Sequence, residues 1–264
     1  PSAATPREQA AALIRWLDEG RGRQIHFHWA DGTREADSTP GQHSAAYDRV
    51  YLDALDIDYA ALDRQMDAAI ANLRRGEVRV STPAGTDIRF HVADRPFCKQ
   101  NGDASRERMR TARVRIDREI ELPAGALRVA PLEGSVAGRI WVPHARMGGD
   151  EARGIELVFE EGALTQINAT QGSYAVRRYL ASNAALRRFR EFALGMNPKL
   201  GKPAGAKAIP YYGYGAGIVR LSLGDNQELG GAVRGGAVQW FFFPDATVIV
   251  GGSVILVKDG KLTG

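Results

Sequence analysis

The sequence contains a single cysteine, Cys98, so no disulfide can form within the 264-residue chain. This scarcity fits a reducing compartment, and a structural thiol is the expected role of Cys98. No apolar run approaches the roughly 20 residues that a membrane-spanning helix requires, and Pro1 to Gly20 lacks the basic-then-apolar order of a signal peptide. We therefore expect a cytoplasmic protein with no membrane partner.

A strong excess of one charge is also lacking, since the formal net charge is only +4. Nucleic-acid binding requires a denser basic patch with stacking aromatic residues, so we expect no nucleic-acid partner. The most basic stretch contains five arginines, at Arg106, Arg108, Arg110, Arg113 and Arg115. It is interpreted as a solvated face, with a contact for an acidic peptide as the alternative.

Several signatures of catalysis are missing. The sequence has no Gly-x-Ser-x-Gly, its glycine-rich loops lack the lysine-serine ending of a phosphate cradle, and no histidine follows His144. His26 and His28 alternate on a predicted strand, a spacing that some metal sites use. No cysteine, aspartate or glutamate accompanies them in that strand, so hydrogen-bonding or surface histidines are expected.

Hydrophobic periodicity predicts three helices, over Pro6 to Glu19, Asp58 to Leu73 and Tyr174 to Phe192. Asp58 is a suitable N-cap for the second of these helices. Gln24 to Trp29 alternates like a strand, and Asp31 to His43 has the composition of a loop.

Short alternating runs dominate after Gly76, separated by glycine and proline, and they predict antiparallel strands. The runs are Val78 to Val80, Ile88 to Val92, Leu127 to Val129, Arg139 to Val142, Ile155 to Phe159, Ile218 to Leu223, Val238 to Phe243, Thr247 to Val250 and Val254 to Val257. The expected fold class is α+β, with a β-rich mixed or antiparallel sheet and helices packed on it.

Five motifs occur in a characteristic order. They are Gly85-Thr86-Asp87-Ile88, Leu122-Pro123-Ala124-Gly125 with Ala130-Pro131, the segment Arg190 to Pro198, Leu223-Gly224-Asp225-Asn226 with Gly230-Gly231, and the closing hairpin Val257 to Lys261. In this order the chain resembles the aminopeptidase T family of leucyl aminopeptidases, whose C-terminal α+β domain holds two metal ions. The resemblance implies a homodimer, a reduced N-terminal segment over residues 1–53 and an aminopeptidase T-like domain over residues 54–264.

The metal ligands of that family are mostly missing here. A dinuclear hydrolase needs several oxygen and imidazole ligands converging on two ions. The motif positions of those ligands are occupied by Ala126, Glu191, Arg220, Gln227, Gln239 and Phe241. Only Glu191 retains a ligand type. The related dihydroxypyridine dioxygenases bind iron through the last two of these positions, and this chain lacks those iron ligands as well. We therefore expect no metal and no other cofactor.

The remaining cleft would contain Glu191 and Arg220, which could form a structural ion pair. The functional alternative is that Arg220 grips a peptide carboxylate through two hydrogen bonds while Glu191 accepts a peptide amine. Tyr211, Tyr212 and Tyr214 lie in a glycine-spaced loop suited to peptide contact, and Gln239 completes the candidate substrate-binding residues.

These observations predict a non-catalytic peptide-binding protein, a pseudo-aminopeptidase. Some aminopeptidase-like proteins without metal ligands chaperone precursor peptides in natural-product pathways such as the crocagin pathway, so the resemblance implies a precursor (leader) peptide as partner. The alternative is a metal-independent hydrolase acting on a peptide or amide, with Glu191 as general base and Arg220 stabilising the oxyanion.

Overall fold

A computed structural model describes residues 5–27, 45–202 and 209–263. Over these residues the helices are α1 (Pro6–Asp18), α2 (Ala45–Leu55), α3 (Tyr59–Leu73), α4 (Arg106–Thr111) and α5 (Ser173–Ala181). The predictions of α1 and α3 are confirmed, and the Asp58 carboxylate caps α3 by accepting a hydrogen bond from the Ala61 amide at 2.8 Å. Among the described helices, none combines the length and apolar character needed to cross a lipid bilayer.

The predicted helix from Tyr174 to Phe192 is wrong beyond Ala181. Helix α5 ends there, and the Asn183 side chain accepts a hydrogen bond from the Ala185 amide at 2.9 Å, which caps a short 3-10 turn. A fully buried strand follows from Phe189 to Gly195. A bulge between Phe189 and Glu191 interrupts the alternation of this strand, so Phe189 and Phe192 both enter the core three residues apart, a spacing typical of a helix.

The strands are β1 (Gln24–Phe27), β2 (Val78–Ser81), β3 (Asp87–Phe90), β4 (Phe97–Gln100), β5 (Glu119–Leu122), β6 (Ala126–Val129), β7 (Ala137–Met147), β8 (Asp150–Glu160), β9 (Ala163–Gln171), β10 (Phe189–Gly195), β11 (Val219–Gly224), β12 (Val238–Phe243), β13 (Thr247–Val250), β14 (Val254–Lys258) and β15 (Lys261–Leu262). Every predicted strand has a counterpart in the described residues, and β15 pairs with β14 to form the predicted closing hairpin. Strands β4, β5, β9 and β10 were not predicted.

The strands form two large sheets and one small one. The eight-stranded sheet has the order β15-β14-β13-β2-β3-β7-β8-β9, and the five-stranded sheet has the order β12-β11-β10-β6-β4. All pairs in both sheets are antiparallel. The mixed α+β fold class, with few helices and several sheets, agrees with the prediction.

The main hydrophobic core contains side chains of both large sheets together with those of α3 and α5. Phe90 of the eight-stranded sheet contacts Phe192 of the five-stranded sheet, with ring centroids 5.4 Å apart. Leu62, Met66 and Leu73 contribute the buried face of α3. This packing buries one face of the five-stranded sheet in the main core. The second face of the sheet lies outside that core.

The N-terminal elements are attached to the rest of the chain. Strand β1 pairs in parallel with β5, and Arg115 forms a 2.7 Å ion pair with Asp18 of α1. Helix α2 continues across the proposed boundary between residues 53 and 54, so a division at that point would interrupt a helix. His26 lies in β1, whereas His28 is outside the described residues.

Candidate functional site

The two faces of the five-stranded sheet differ sharply. One face carries Leu194, Leu221 and Phe241 into the main core. On the other face, cross-strand pairing places Arg128 and Arg220 on either side of Ala193, while Ser222 lies opposite Glu191. Because side chains alternate along a strand, these polar residues share one face at the centre of the sheet.

The polar face contains a buried ion cluster that we name the arginine cluster: Glu191, Arg128, Arg190, Arg220 and Glu228. The Glu191 side chain is fully buried and accepts hydrogen bonds from all three guanidinium groups, including one from Arg220 at 2.9 Å. Glu228, which is 27% exposed, pairs with Arg128 at 3.1 Å and also with Arg190. The predicted ion pair between Glu191 and Arg220 is therefore confirmed within a larger network.

The electrostatics of the cluster keep Glu191 ionised. Burial alone would raise the pKa of this carboxyl, but the positive charges of Arg128, Arg220 and Arg190 outweigh burial and hold its pKa well below the ordinary value. Burial opposes the charged form of Arg128 as well, yet its acidic neighbours raise its pKa. The charges stabilise one another in a place from which water is largely excluded.

The tyrosine loop covers this face. The Arg220 guanidinium lies over the Tyr214 ring at 5.7 Å and over the Trp240 ring at 5.5 Å, and one of its terminal nitrogens donates to the Tyr212 carbonyl at 3.0 Å. Tyr212 contacts Trp240 edge-on, with centroids 5.3 Å apart. The Tyr214 hydroxyl donates to Glu121 of β5, so the loop is joined to the small sheet.

The other predicted site residues are placed differently. Tyr211 is buried and contacts Tyr51 of α2, with centroids 5.9 Å apart, so it joins the loop to the N-terminal segment. Gln239 lies opposite Leu223 in the pairing of β12 with β11, on the face away from the arginine cluster. Its amide donates to the Trp240 carbonyl at 3.1 Å. The structure therefore gathers Glu191, Arg220 and the tyrosine loop but leaves Gln239 outside the group.

The residues of this site do not fit a metal ion. Phe241, at the last ligand position of the resemblance, is buried in the opposite face, and alternation places Trp240 and Phe242 beside the cluster instead. The one carboxylate at the centre is surrounded by permanently positive guanidinium groups. Across residues 5–27, 45–202 and 209–263, no group of three or more His, Cys, Asp or Glu side chains is placed to hold a metal ion.

Several members of the site were missed by reasoning from sequence. Arg128, Arg190 and Glu228 belong to the cluster, but exposed surface positions are the usual location of such residues.

Cys98 lies in the same cross-strand row as Arg128, and burial raises the pKa of its thiol to about 12. A buried thiol that stays protonated agrees with the structural role expected of Cys98.

Glu119 in β5 lies near the arginine cluster and makes the stability pH-dependent. Burial first, and then Glu228 and Glu121, raise its pKa to about 7, against a smaller opposing effect of Arg128 and Arg115. Since the folded pKa is raised, the folded state prefers the neutral acid. The associated stability is fully present below the unfolded pKa and is lost as the pH rises through about 7.

Glu119→Gln is therefore expected to stabilise the protein by about 2 kcal/mol at pH 8 and to change little at pH 4, because glutamine mimics the neutral acid. Chemical denaturation across this pH range measures the difference. Glu107→Gln in the exposed pair with Arg110 is the control, expected to change stability by less than about 0.5 kcal/mol at any pH. A Glu119→Gln protein whose stability relative to wild type is the same at both pH values would contradict the raised pKa.

Comparison with known proteins finds no matching family profile and no matching curated protein. The following two are among the solved structures that are similar to this chain. The 2,5-dihydroxypyridine dioxygenase from Pseudomonas putida KT2440 has a TM-score of 0.66 and 17% identity, covering 99% of this chain and 77% of that chain. Wild-type AmpT from Thermus thermophilus has a TM-score of 0.57 and 19% identity, covering 82% of this chain and 58% of that chain. At these identities the likeness concerns the fold alone, and the chain shares a distant aminopeptidase-like α+β fold.

Proposed function

We propose that this protein binds peptides and does not catalyse their hydrolysis. The observation that carries the proposal is the state of Glu191, the carboxylate at the centre of the polar face. Three guanidinium groups form ion pairs with this carboxylate, and its side chain has no exposed surface. A group enclosed in this way can neither accept a proton from water nor coordinate a cation.

The same geometry argues against the metal-independent hydrolase. A general base works best with a pKa near the operating pH, whereas the arginines hold the pKa of Glu191 well below the ordinary value. The terminal nitrogens of Arg220 are also engaged, one by Glu191 and one by the Tyr212 carbonyl. For the same reason a two-pronged grip of Arg220 on a peptide carboxylate would require both of these contacts to break.

Strand β12 offers a different means of binding a peptide. Among the described strands it pairs only with β11, so its second edge is open. Its sequence, Val238 to Phe243, contains no charge, no proline and four consecutive aromatic residues. Natural sheets usually protect an open edge with charge, proline or a bulge, and an extended peptide can complete an unprotected edge through backbone hydrogen bonds.

Strand β9 provides a comparison, because it is also an edge strand but carries polar instead of aromatic side chains. It lies at one end of the eight-stranded sheet and carries polar residues such as Thr165, Gln166 and Asn168. These side chains give β9 little apolar surface for a partner strand. The aromatic edge of β12, next to the partly exposed Tyr212, therefore supports peptide binding better than the edge of β9.

We further propose that the protein acts in the cytoplasm as a homodimer and that its ligand is a precursor peptide of a crocagin-type pathway. The distant aminopeptidase-like fold supports the homodimer, and the expected loss of metal ligands supports the precursor peptide as ligand. Light scattering at micromolar concentration should give twice the chain mass of 28.7 kDa. A chain that remains monomeric would remove the homodimer from the proposal.

The binding proposal is tested by selecting peptides from a display library of random ten-residue sequences and titrating the enriched ones by calorimetry. We expect micromolar binding and slower hydrogen exchange at β12 amides in the complex, because the open edge acquires hydrogen-bond partners. The amides of β9 serve as the internal control and should not change. Binding without protection at β12 would move the site elsewhere, and hydrolysis of leucyl substrates with or without added zinc or cobalt would contradict the non-catalytic role.

A further inference from the structure

Two buried N–H donors on the polar face have no hydrogen-bond partner in the described part of the chain: Nε of Arg220 and Nε1 of Trp240. Arg220 is 98% buried, since its relative exposure is 2%. A buried donor without an acceptor costs on the order of 1–3 kcal/mol, more when it is charged, and native structures contain few of them. Two such donors in neighbouring side chains therefore indicate a place where an acceptor belongs.

The two donors belong to side chains in contact. Arg220 and Trp240 lie on adjacent strands β11 and β12, and the guanidinium carbon is 5.5 Å from the indole ring centroid. The terminal nitrogens of Arg220 are bonded to Glu191 and Tyr212, so Nε is the one nitrogen of this side chain without an acceptor among the described residues. Neither guanidinium nor indole nitrogen can accept a hydrogen bond, so the missing partner must be an acceptor.

Tyr212 lies against both side chains and adopts a strained backbone. Its carbonyl accepts from Arg220 and its ring contacts Trp240. Tyr211 and Tyr212 have φ angles of 39° and 53°, a left-handed conformation that costs non-glycine residues about 1–2 kcal/mol each. Tyr212 and Trp240 are both partly exposed. A strained, partly exposed cover can be displaced more readily than a relaxed one.

We propose that Arg220 Nε and Trp240 Nε1 together receive a carboxylate of the bound peptide when Tyr212 moves aside. An anionic oxygen forms shorter and stronger bonds to a guanidinium than a neutral one, so a carboxylate satisfies the pair better than a backbone carbonyl. This inference rests on the proposed peptide-binding function and defines the ligand as a peptide whose carboxylate reaches the polar face beside Trp240, in the middle of β12.

The test uses the indole N–H signals of the ¹⁵N-labelled protein, which contains four tryptophans. Trp240→Phe identifies the signal of Trp240 and retains an apolar ring, while Trp141→Phe on the other sheet is the matched control. Three probes are titrated: N-acetyl-leucine for a terminal carboxylate, N-acetyl-glutamate α-amide for a side-chain carboxylate, and neutral N-acetyl-leucinamide.

We expect at least one carboxylate probe to shift the Trp240 signal with millimolar affinity and to bind roughly 10-fold more tightly than the amide. Trp240→Phe should weaken that binding about 10-fold, whereas Trp141→Phe should not change it. The stronger of the two acids identifies the terminal or the side-chain carboxylate as the natural group.

Equal shifts with the amide, or a Trp240 signal that no probe moves, would overturn the inference. If library peptides still protect β12 in that case, the proposed function stands and the missing acceptor is water. If no peptide binds, the proposed function fails together with the inference.

Discussion

Glu191→Gln is expected to lower the free energy of unfolding by about 4 kcal/mol, a loss typical of variants in which one partner of a buried ion pair is removed. The substitution deletes the negative charge that neutralises Arg128, Arg190 and Arg220, all of them buried. Glu228 is partly exposed and can balance only part of that charge. Urea denaturation of the variant and the wild type measures the loss.

The control is Glu156→Gln, which removes the carboxylate of an exposed ion pair with Arg139 in the eight-stranded sheet. Exposed pairs contribute about 0–1 kcal/mol, so this variant should remain close to the wild type. If Glu191→Gln loses less than about 1 kcal/mol, the arginine cluster is not a structural unit, and Glu191 becomes available again as a functional group.

Asn197→Ala is expected to cost about 3 kcal/mol, because Asn197 is fully buried and its side chain satisfies four backbone groups. Its amide donates to the carbonyls of Ala54 and Ala124 at 3.0 and 2.7 Å. Its oxygen accepts from the amides of Lys199 and Leu200 at 2.9 and 3.1 Å. The alanine variant leaves these groups without their partners in the interior.

Hydrogen exchange gives a second readout for this prediction. Since Asn197 holds the end of α2 through Ala54, the amides of α2 should exchange faster in the variant than in the wild type. Asn168→Ala, at an exposed position in β9 bonded to Glu156, is the matched control and should leave α2 unchanged. An unaltered α2 in Asn197→Ala would show that other contacts hold this helix in place.

The sequence predicted the fold where side-chain periodicity was clear. Strand β12 was predicted with its correct limits, and its side chains alternate as expected of a strand, since Phe241 and Phe243 enter the core while Trp240 and Phe242 face the cluster. Strand β9 escaped notice because its polar residues hide the alternation. The β10 region was mistaken for helix because a bulge between Phe189 and Glu191 interrupts its alternation and leaves Phe189 and Phe192 on one face at helical spacing.

The candidate site was predictable only in part. Glu191 and Arg220 were found because short motifs around them resemble a known family. Arg128 was missed because its contact with Glu191 joins positions 63 residues apart, and no local pattern marks an arginine that will be buried. Gln239 was chosen by counting along the motif, and a shift of one residue moves a side chain to the other face of a strand.

The arginine cluster also constrains the order in which the chain can mature. Its charges come from β6, β10, β11 and the turn that holds Glu228, so the network spans residues 128 to 228. A nascent chain that ends before Arg220 presents Glu191 with two of its three cationic partners and lacks β11 and β12. The five-stranded sheet therefore closes only after β12 has been synthesised, and the edge of β12 exists only from that point.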